Sequence, residues 1–564
     1  MIALLMGLVG AAQAEEGLCL GDEVRVVADY AWPAAVGQGY FPMALQVENL
    51  ADRDLELELS FQSTNNNGIE VERSLSLPRG RTESFEQALP AFSQHGAAYS
   101  LNVRAEGESL CYMSPLGSYQ GVSGDSWLIF RDAPQTPGEQ QVLESGLGLA
   151  DDHMAIASPQ DLAKSWVAYT SVDVVMLALD GEPPSEAQLD PLLQWVRMGG
   201  FLNIRGEGAT ALSQQNPELS RWVQPRHALR ASVERGYVRG LDGYSLGLGV
   251  VVVQEEPFTG PDKLLDSARL VSDTVPLRRW VNPPNYGPPP AYPQIPGVGS
   301  IPGGAFALLL FGVGMLLGPV NRLILRKRRP AMRLLSTPLL AGLSSLGLVG
   351  YGIASTGLGA QSASYSVSLL DQEAARVSVL EARQIYLGTA IAGGLRPGAD
   401  TWDFPLEMDW DSRFKVELDA EGRLVSGDLL SSRVATTSLH LGERSSRLGL
   451  AWDGQRVQNN LDAELTGLVL MDHQGRTWVL DGVLAPGQGA ELTLVEDTER
   501  VLQRVWKSSM VRSSSVVAYP RLDQDMAPGS YVARLDSSPF LDAEGLRMQE
   551  RAGEHHVVGV LEAP

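Results

Sequence analysis

The chain has 564 residues, a net charge of −23 and 44% hydrophobic residues. This length predicts three or four domains, because one domain usually holds about 100–200 residues. The negative charge argues against a nucleic-acid partner, because nucleic-acid binding requires a basic surface.

Residues 1–14 form an apolar stretch that ends in the small-residue site Ala12-Gln13-Ala14. This pattern is typical of a secretory signal peptide that is cleaved before Glu15. No Lys or Arg precedes the apolar stretch, so either the true start lies upstream or the signal is atypical. A short buried helix is the alternative interpretation. Fourteen residues are too few to span a bilayer, which requires about 20.

Residues 15–118 carry the alternating pattern of half-buried strands. Leu55, Leu57 and Leu59 alternate with Glu56 and Glu58, which places the leucines on one face of a strand. The region is therefore predicted to be a small β-sandwich.

The two cysteines of the chain, Cys19 and Cys111, lie near the two ends of this region. In an oxidising compartment such a pair is expected to form a disulfide, which would add about 4 kcal/mol to stability. Two unpaired buried thiols remain the alternative.

Residues 119–275 change to an alternation of strand and helix. The apolar run 174–179 predicts a buried strand, and Ser185 with Gln188 predicts the capping box of a following helix. Gly199-Gly200 ends this helix, and residues 201–205 predict the next strand. The region is therefore predicted to be an α/β layer with a mainly parallel sheet.

Residues 276–301 are rich in proline and predict a stiff, extended linker. Two uncharged apolar stretches follow, at 302–321 and 334–356, and each is long enough to span a bilayer. The loop 322–333 between them is basic, and the positive-inside rule places it in the cytoplasm with both flanking regions outside. The basic residues of this loop are Arg322, Arg326, Lys327, Arg328, Arg329 and Arg333.

The α/β region and the first apolar stretch resemble a known family. The stretch 172–177, the helix with Trp195-Val196, and the run 199–204 look like the class I glutamine amidotransferase-like fold. Gly318-Pro319-Val320-Asn321 is similar to the membrane part of bacterial proteins in its membrane-attached branch, which has no assigned catalysis. The resemblance covers about 123–360 well and the flanking regions loosely. It implies a catalytically degenerate amidotransferase-like domain beside a two-helix membrane hairpin.

A catalytic member of that family would carry a cysteine on the turn after the strand at 201–205. No cysteine stands at 204–210 in this chain, where the turn is Gly206-Glu207-Gly208. Thr210 and Ser213 are the nearest hydroxyls and His227 is the nearest following histidine, so these are the candidates for a substitute hydrolytic pair. The backbone amides of Gly206, Glu207 and Gly208 are the candidate ligand-binding groups.

Residues 357–564 predict a β-rich domain. Residues 465–480 indicate a hairpin whose turn lies at 472–475, and 557–561 indicates the last strand. His555 and His556 precede that strand, but adjacent strand residues face opposite sides, so they are not expected to bind one metal. No metal or other cofactor is predicted for the chain.

The predicted fold class is multidomain α/β plus β, with an N-terminal β-sandwich, an amidotransferase-like domain, two transmembrane helices and a β-rich C-terminal domain. The predicted location is the bacterial inner membrane, with both soluble regions periplasmic. The leading functional hypothesis is a non-enzymatic, membrane-anchored binding or scaffolding subunit with protein partners in the cell envelope. An envelope hydrolase or amidotransferase-like enzyme with a nonstandard nucleophile is the alternative.

Overall fold

The computed structural model describes most of the chain and is mainly β-strand (53%) with few helices. The described residues are 17–30, 32, 39–64, 68–91, 97–119, 126–131, 154–179, 183–222, 243–246, 249–255, 293–298, 303–324, 336, 338–347, 350, 357, 359–389, 393–398, 400–406, 413–419, 422–505, 526, 528–540, 543–544 and 548–561. The predicted signal peptide at 1–14 lies outside them.

The N-terminal region forms two packed antiparallel sheets. Their strands are β1 (Gly17–Leu20), β2 (Val24–Tyr30), β3 (Gly39–Asn49), β4 (Leu55–Ser63), β5 (Ile69–Leu77), β6 (Thr82–Ala91), β7 (Ala97–Ala105) and β8 (Glu108–Tyr119). One sheet has the order β1-β2-β3-β6, and the other contains β5-β4-β7-β8. Leu55, Leu57 and Leu59 are buried in the core between them, as the alternation in β4 predicts.

The predicted disulfide is confirmed: Cys19 and Cys111 are bonded, with their Cα atoms 6.1 Å apart. Cys19 lies on β1 and Cys111 lies on β8, which are edge strands of the two sheets. The bond therefore joins one sheet of the sandwich to the other.

The next region is built around one sheet, whose strands are β9 (Trp127–Phe130), β10 (Met154–Ala157), β11 (Val174–Ala178), β12 (Phe201–Arg205), β13 (Gly243–Leu246) and β14 (Gly249–Gln254). Their order in the sheet is β10-β9-β11-β12-β14-β13. All neighbours are parallel except β13 and β14, as the alternation of strand and helix predicts. Short 3-10 helices cover Pro159–Asp161 and Trp166–Ser171.

Among the described residues, three helices accompany this sheet: α1 (Glu186–Arg197), α2 (Ala209–Gln215) and α3 (Pro217–Trp222). The predicted capping box begins α1, where the Ser185 backbone N–H donates to Gln188 Oε1 at 3.0 Å. Leu189, Leu192 and Val196 recur at helical spacing and are fully buried against the sheet.

The two predicted membrane spans are wrong, because no helix of the described residues is long and apolar enough to cross a membrane. The first apolar stretch contains α4 (Gly303–Met315), a π-helical turn at Leu316–Val320 and α5 (Asn321–Ile324). In the second stretch, residues 338–347 are helical.

The fold class and the inner-membrane location predicted from these spans are wrong for the same reason. Of the basic loop, Arg322 lies in α5. The other five basic residues fall outside the described part of the chain: Arg326, Lys327, Arg328, Arg329 and Arg333.

The strands of the C-terminal region are β15 (Ala360–Asp371), β16 (Arg376–Leu387), β17 (Arg396–Pro397), β18 (Thr401–Pro405), β19 (Phe414–Asp419), β20 (Gly422–Gly427), β21 (Ala435–Ser445), β22 (Leu450–Trp452), β23 (Arg456–Asn459), β24 (Leu465–Met471), β25 (Thr477–Val479), β26 (Gly489–Glu491), β27 (Thr493–Val495), β28 (Ser530–Leu535), β29 (Ala543–Glu544) and β30 (Met548–Val560). Nine of them form one sheet of order β18-β21-β16-β15-β30-β28-β24-β25-β27. Helix α6 (Thr498–Val505) and a 3-10 turn at Asp428–Leu430 accompany the strands of this region.

The hairpin β19–β20 does not pair with the nine-stranded sheet. It extends the N-terminal sandwich instead, because β19 pairs in parallel with β5, beginning at Phe414 opposite Ile69. Lys415 lies 2.9 Å from Glu72 across this pair, and Phe414 is buried in the sandwich core. Two segments that are distant in sequence therefore build one sandwich.

The α/β region packs against both the sandwich and one face of the nine-stranded sheet. One apolar core contains Tyr40 of β3, Trp195 of α1 and Tyr365 of β15. The Tyr40 backbone N–H also donates to Thr170 Oγ1 at 2.9 Å. The three regions thus share buried side chains rather than meeting only at their surfaces.

Candidate functional site

The turn proposed from sequence to hold a nucleophile joins β12 to α2. Gly206 and Gly208 adopt φ angles of 117° and 107°, a left-handed conformation that favours glycine. A Cβ atom on Gly206 would lie 2.8 Å from the Leu179 carbonyl oxygen, so the turn also requires a glycine for space. The sharp strand-to-helix turn exists, and the side chain at its centre is the exposed Glu207.

The structure does not bring the proposed catalytic groups together at this turn. Ser213 is 2% exposed, and its hydroxyl donates to the Thr210 carbonyl oxygen at 2.8 Å. The hydroxyl proton that a general base would have to remove is therefore already donated in a hydrogen bond within α2. Thr210 is half-buried, and His227 lies outside the described residues. Ligand binding by the amides of Gly206, Glu207 and Gly208 stays a prediction.

A different group of buried polar side chains crosses one face of the nine-stranded sheet. We call it the polar row, and it consists of Asp403, His440, Glu381, Ser366 and His555. Each member lies directly opposite the next on five adjacent strands, from β18 through β21, β16 and β15 to β30. All five are at most 4% exposed. Directly opposed residues of paired strands share a face, so these side chains form one continuous line.

Asp403 and His440 form the first end of the polar row. His440 Nδ1 contacts Asp403 Oδ1, and His440 Nε2 lies 2.8 Å from Ser438 Oγ. The contact is not a well-aligned hydrogen bond, because neither carboxylate oxygen of Asp403 has an aligned donor in the structure. Ser438 and His440 share a face because they are two residues apart on β21.

Asp403 also lies where the N-terminal sandwich meets the sheet. The Tyr40 hydroxyl donates to the Asp403 backbone carbonyl at 2.9 Å. The Tyr40 ring packs edge-on against Trp402 and Phe404, with centroid distances of 4.8 and 5.2 Å. The Arg423 guanidinium stacks 4.0 Å from the Trp402 ring centroid, and burial lowers the pKa of Arg423.

The centre of the polar row carries a buried ion pair. Glu381 Oε1 accepts a hydrogen bond from Arg383 Nε at 2.5 Å, and both side chains lie on the same face of β16. Burial disfavours the charge on Arg383, but the nearby carboxylates of Glu381, Glu550 and Asp403 outweigh it and raise its pKa. Arg383 therefore stays charged at the centre of the row.

His555 forms the second end of the polar row. Its Nδ1 lies 2.8 Å from Ser366 Oγ, and its Nε2 lies 3.2 Å from Glu550 Oε1. Ser364 Oγ donates to the same carboxylate oxygen. Burial disfavours the charged form of Glu550, but hydrogen bonds from His555 and Ser364 and the charge of Arg383 lower its pKa overall. The Glu550 side chain is 33% exposed, so this end of the row reaches solvent.

The neighbouring histidine faces the opposite side of the sheet. His556 Nε2 lies 3.2 Å from Glu554 Oε1, and its ring packs 5.9 Å from the Tyr365 ring. Burial lowers the pKa of His556. In the part of the chain that is described, no three His, Cys, Asp or Glu side chains are arranged to hold a metal ion.

The polar row was missed in the sequence, although part of its signal was visible. Serine occupies every second position at 362, 364, 366 and 368, which places a line of hydroxyls on one strand face. Asp403, His440 and Glu381 stand on three other strands, and their alignment depends on strand order. No local pattern in the sequence reports that order.

Comparison with known proteins gives no family for this chain. No protein-family model matches it, and no curated protein sequence matches it. The predicted membership of the amidotransferase-like family is therefore wrong. No family model matches, the described residues contain no membrane-spanning helix, and the structure is mainly β-strand.

Among solved structures, a yeast delta-COP-I mu-homology domain matches at 9% identity, covering 36% of this chain and 96% of that domain, with a TM-score of 0.17. A Paenibacillus sp. cycloisomaltooligosaccharide glucanotransferase matches at 11% identity over 33% of this chain and 27% of the enzyme, with a TM-score of 0.14. An Amycolatopsis orientalis exo-chitosanase matches at 10% identity over 48% of this chain and 27% of the enzyme, also at 0.14. Superpositions this poor imply neither a shared fold nor a shared function.

Proposed function

We propose that this chain is a non-enzymatic binding or scaffolding protein that works as a subunit of a protein assembly. The observation that carries the proposal is the pairing of β19 with β5, by which the C-terminal region completes the N-terminal sandwich. A chain whose regions interlock in this way presents several β surfaces in one fixed arrangement. Such an arrangement suits a protein that positions partners.

The candidate nucleophiles at the β12–α2 turn support the same proposal. The Ser213 hydroxyl is buried and bonded within its own helix, and the centre of the turn presents a carboxylate. An exposed carboxylate on this turn would repel the developing negative charge of an acyl-transfer intermediate. The geometry at this turn therefore favours binding over hydrolysis.

The test is crosslinking of the tagged full chain in its native cells, followed by quantitative mass spectrometry of the purified complexes. We expect specific partners in a fixed molar ratio to the chain, and the same ratio with a Ser213→Ala variant. Recovery of the chain alone, together with turnover of an ester or amide panel by the purified protein, would overturn the proposal.

A hydrolase is the second candidate, and one observation favours it. Ser438, His440 and Asp403 stand in the order of a nucleophile, its base and the group that orients the base. Ser438 is 0% exposed, so a substrate would reach its hydroxyl only after the covering residues move. A fluorophosphonate probe tests this candidate: labelling that is lost in Ser438→Ala would support it, and an unlabelled wild-type chain would exclude it.

A further inference from the structure

The parallel sheet of the α/β region has a carboxyl edge with the geometry of a ligand site. In the order β10-β9-β11-β12-β14-β13, the chain passes from β9 to its neighbour β10 and then to β11 on the other side of β9. The strands that follow β9 and β11 in the chain therefore lie on opposite sides of this pair. In open α/β sheets, ligands bind in the crevice outside the carboxyl ends of the strands at such a reversal.

Arg131 and Arg205 stand at this edge at the same level of the sheet. Arg205 is the last residue of β12 and lies opposite Ala178, the last residue of β11. Arg131 is one residue beyond Phe130, which lies opposite Leu177 of β11. Arg131 is therefore level with Ala178 from the side of β9. The two arginines flank the end of β11, one on each side.

Two neutral polar residues continue this line at its ends. Gln254 of β14 lies opposite Arg205. Ser158 follows Ala157, whose carbonyl oxygen accepts the Arg131 backbone N–H at 3.0 Å, so Ser158 is level with Arg131 on the other side. We call Ser158, Arg131, Ala178, Arg205 and Gln254 the edge row.

The side chains of the edge row share one face of the sheet, because residues at one level of neighbouring parallel strands point to the same side. Neighbouring strands are about 4.8 Å apart, so two strand spacings place the Cα atoms of Arg131 and Arg205 about 10 Å apart. The residue between them, Ala178, has only a methyl group and fills little of that distance. Both guanidiniums can therefore approach one group held above Ala178.

The charges of the edge row favour an anion. Arg205 is 1% exposed, and burial lowers its pKa. Burying a guanidinium is costly, and an anion beside it offsets that cost. Two acidic residues stand near the row. Glu207, two residues beyond Arg205, is exposed, and the Asp161 carboxylate accepts the Ser158 backbone N–H at 3.2 Å.

We propose that the edge row binds a phosphate group, either of a small organic phosphate or of the free ion, between the guanidiniums of Arg131 and Arg205. Arginine binds phosphate and carboxylate oxygens through two parallel N–H donors. A carboxylate has two oxygens and is satisfied by one such fork, whereas a phosphate group has enough oxygens for two forks that approach from opposite sides. The Gln254 amide and the Ser158 hydroxyl add neutral donors at the ends of the row.

The experiment is isothermal titration calorimetry of the full chain with inorganic phosphate and, separately, with adenosine monophosphate, at constant ionic strength. Both ligands should bind saturably and compete with each other. Arg131→Gln should weaken binding about tenfold or more, because it removes hydrogen bonds between charged groups. The matched control is Arg79→Gln, an exposed arginine of the β5–β6 turn, which should bind like the wild type. Tighter binding of the ester supports an organic phosphate, and tighter binding of inorganic phosphate supports the free ion.

A second variant separates the anion site from a general loss of folding. Glu207→Gln removes an exposed negative charge beside Arg205 and should tighten phosphate binding about twofold. A gain in affinity does not arise from misfolding. No saturable binding of either ligand at millimolar concentration, or wild-type affinity in Arg131→Gln, would overturn the proposal. Neither result bears on whether the chain binds protein partners.

Discussion

Arg197 of α1 and Glu443 of β21 form a buried ion pair that joins the α/β region to the nine-stranded sheet. Arg197 Nε lies 2.6 Å from Glu443 Oε2, and Arg197 Nη2 lies 2.9 Å from Glu443 Oε1. Their side chains are 8% and 9% exposed, and Glu218 of α3 binds the remaining side of the guanidinium. The carboxylates outweigh burial and raise the pKa of Arg197. One arginine thus connects two helices and a strand of another region.

Replacing Arg197 with methionine should lower the free energy of unfolding by about 3–5 kcal/mol, because it leaves Glu443 buried without its partner. Urea unfolding measures this loss. The control is Arg53→Met, which breaks the exposed pairs with Glu23 and Glu106 and should change stability little. Equal effects of the two variants would show that the buried pair does not hold the regions together.

The bond between Cys19 and Cys111 should protect the N-terminal sandwich. The cysteines are 92 residues apart, and closing a loop of this size stabilises a fold by about 4 kcal/mol. A Cys19→Ser/Cys111→Ser variant should therefore unfold at lower urea than the oxidised chain, and reductant should have no further effect on it. Thiol labelling of denatured, unreduced chain should find no free thiol. Two labelled thiols per chain would contradict the bond.

Asp173 should make the stability of the α/β region depend on pH. Burial raises its pKa from 3.8 to about 6, and hydrogen bonds from the Ser126 backbone and hydroxyl offset part of that rise. The folded chain then holds this proton more tightly than the unfolded chain. The resulting stabilisation is complete below the unfolded value and is lost as the pH rises through about 6.

The measurement is the free energy of unfolding of the wild type and of Asp173→Asn between about pH 4 and 7. Relative to the variant, the wild type should become less stable as the pH rises. Asp453→Asn is the control: backbone hydrogen bonds from Arg456 and Gln455 lower the pKa of Asp453, so its titration lies below this window. A constant difference between the wild type and Asp173→Asn would refute the prediction.

The full chain should release no ammonia from glutamine and should not react with thiol-directed glutamine analogues. The turn after β12 carries Gly206, Glu207 and Gly208 in place of a cysteine, and both cysteines are bonded in another region. Ser213→Ala, Thr210→Ala and His227→Ala should leave any background rate unchanged. A reproducible rate that disappears in one of these variants would make the hydrolase the better proposal.

Some features of this fold were determined by local sequence. The alternation of Leu55, Leu57 and Leu59 fixed both a strand and its buried face, because side chains of a strand point alternately to opposite sides. Ser185 and Gln188 marked the start of α1, because a capping box needs only residues within one helical turn. Cys19 and Cys111 had no other possible partner within the chain.

The polar row and the shared sandwich were decided by tertiary structure. Alternation shows that Phe414 faces a core, but it does not show that this core belongs to the strand of Ile69. In the same way, His440 lies between Asp403 and Glu381 because β21 lies between β18 and β16, an order that is not the order of the chain. The apolar stretch at 302–321 met the length and hydrophobicity expected of a span, yet no helix of the described residues is long and apolar enough to cross a membrane. Local sequence sets which face of an element is buried, whereas the choice of neighbour depends on packing among segments that are far apart in the chain.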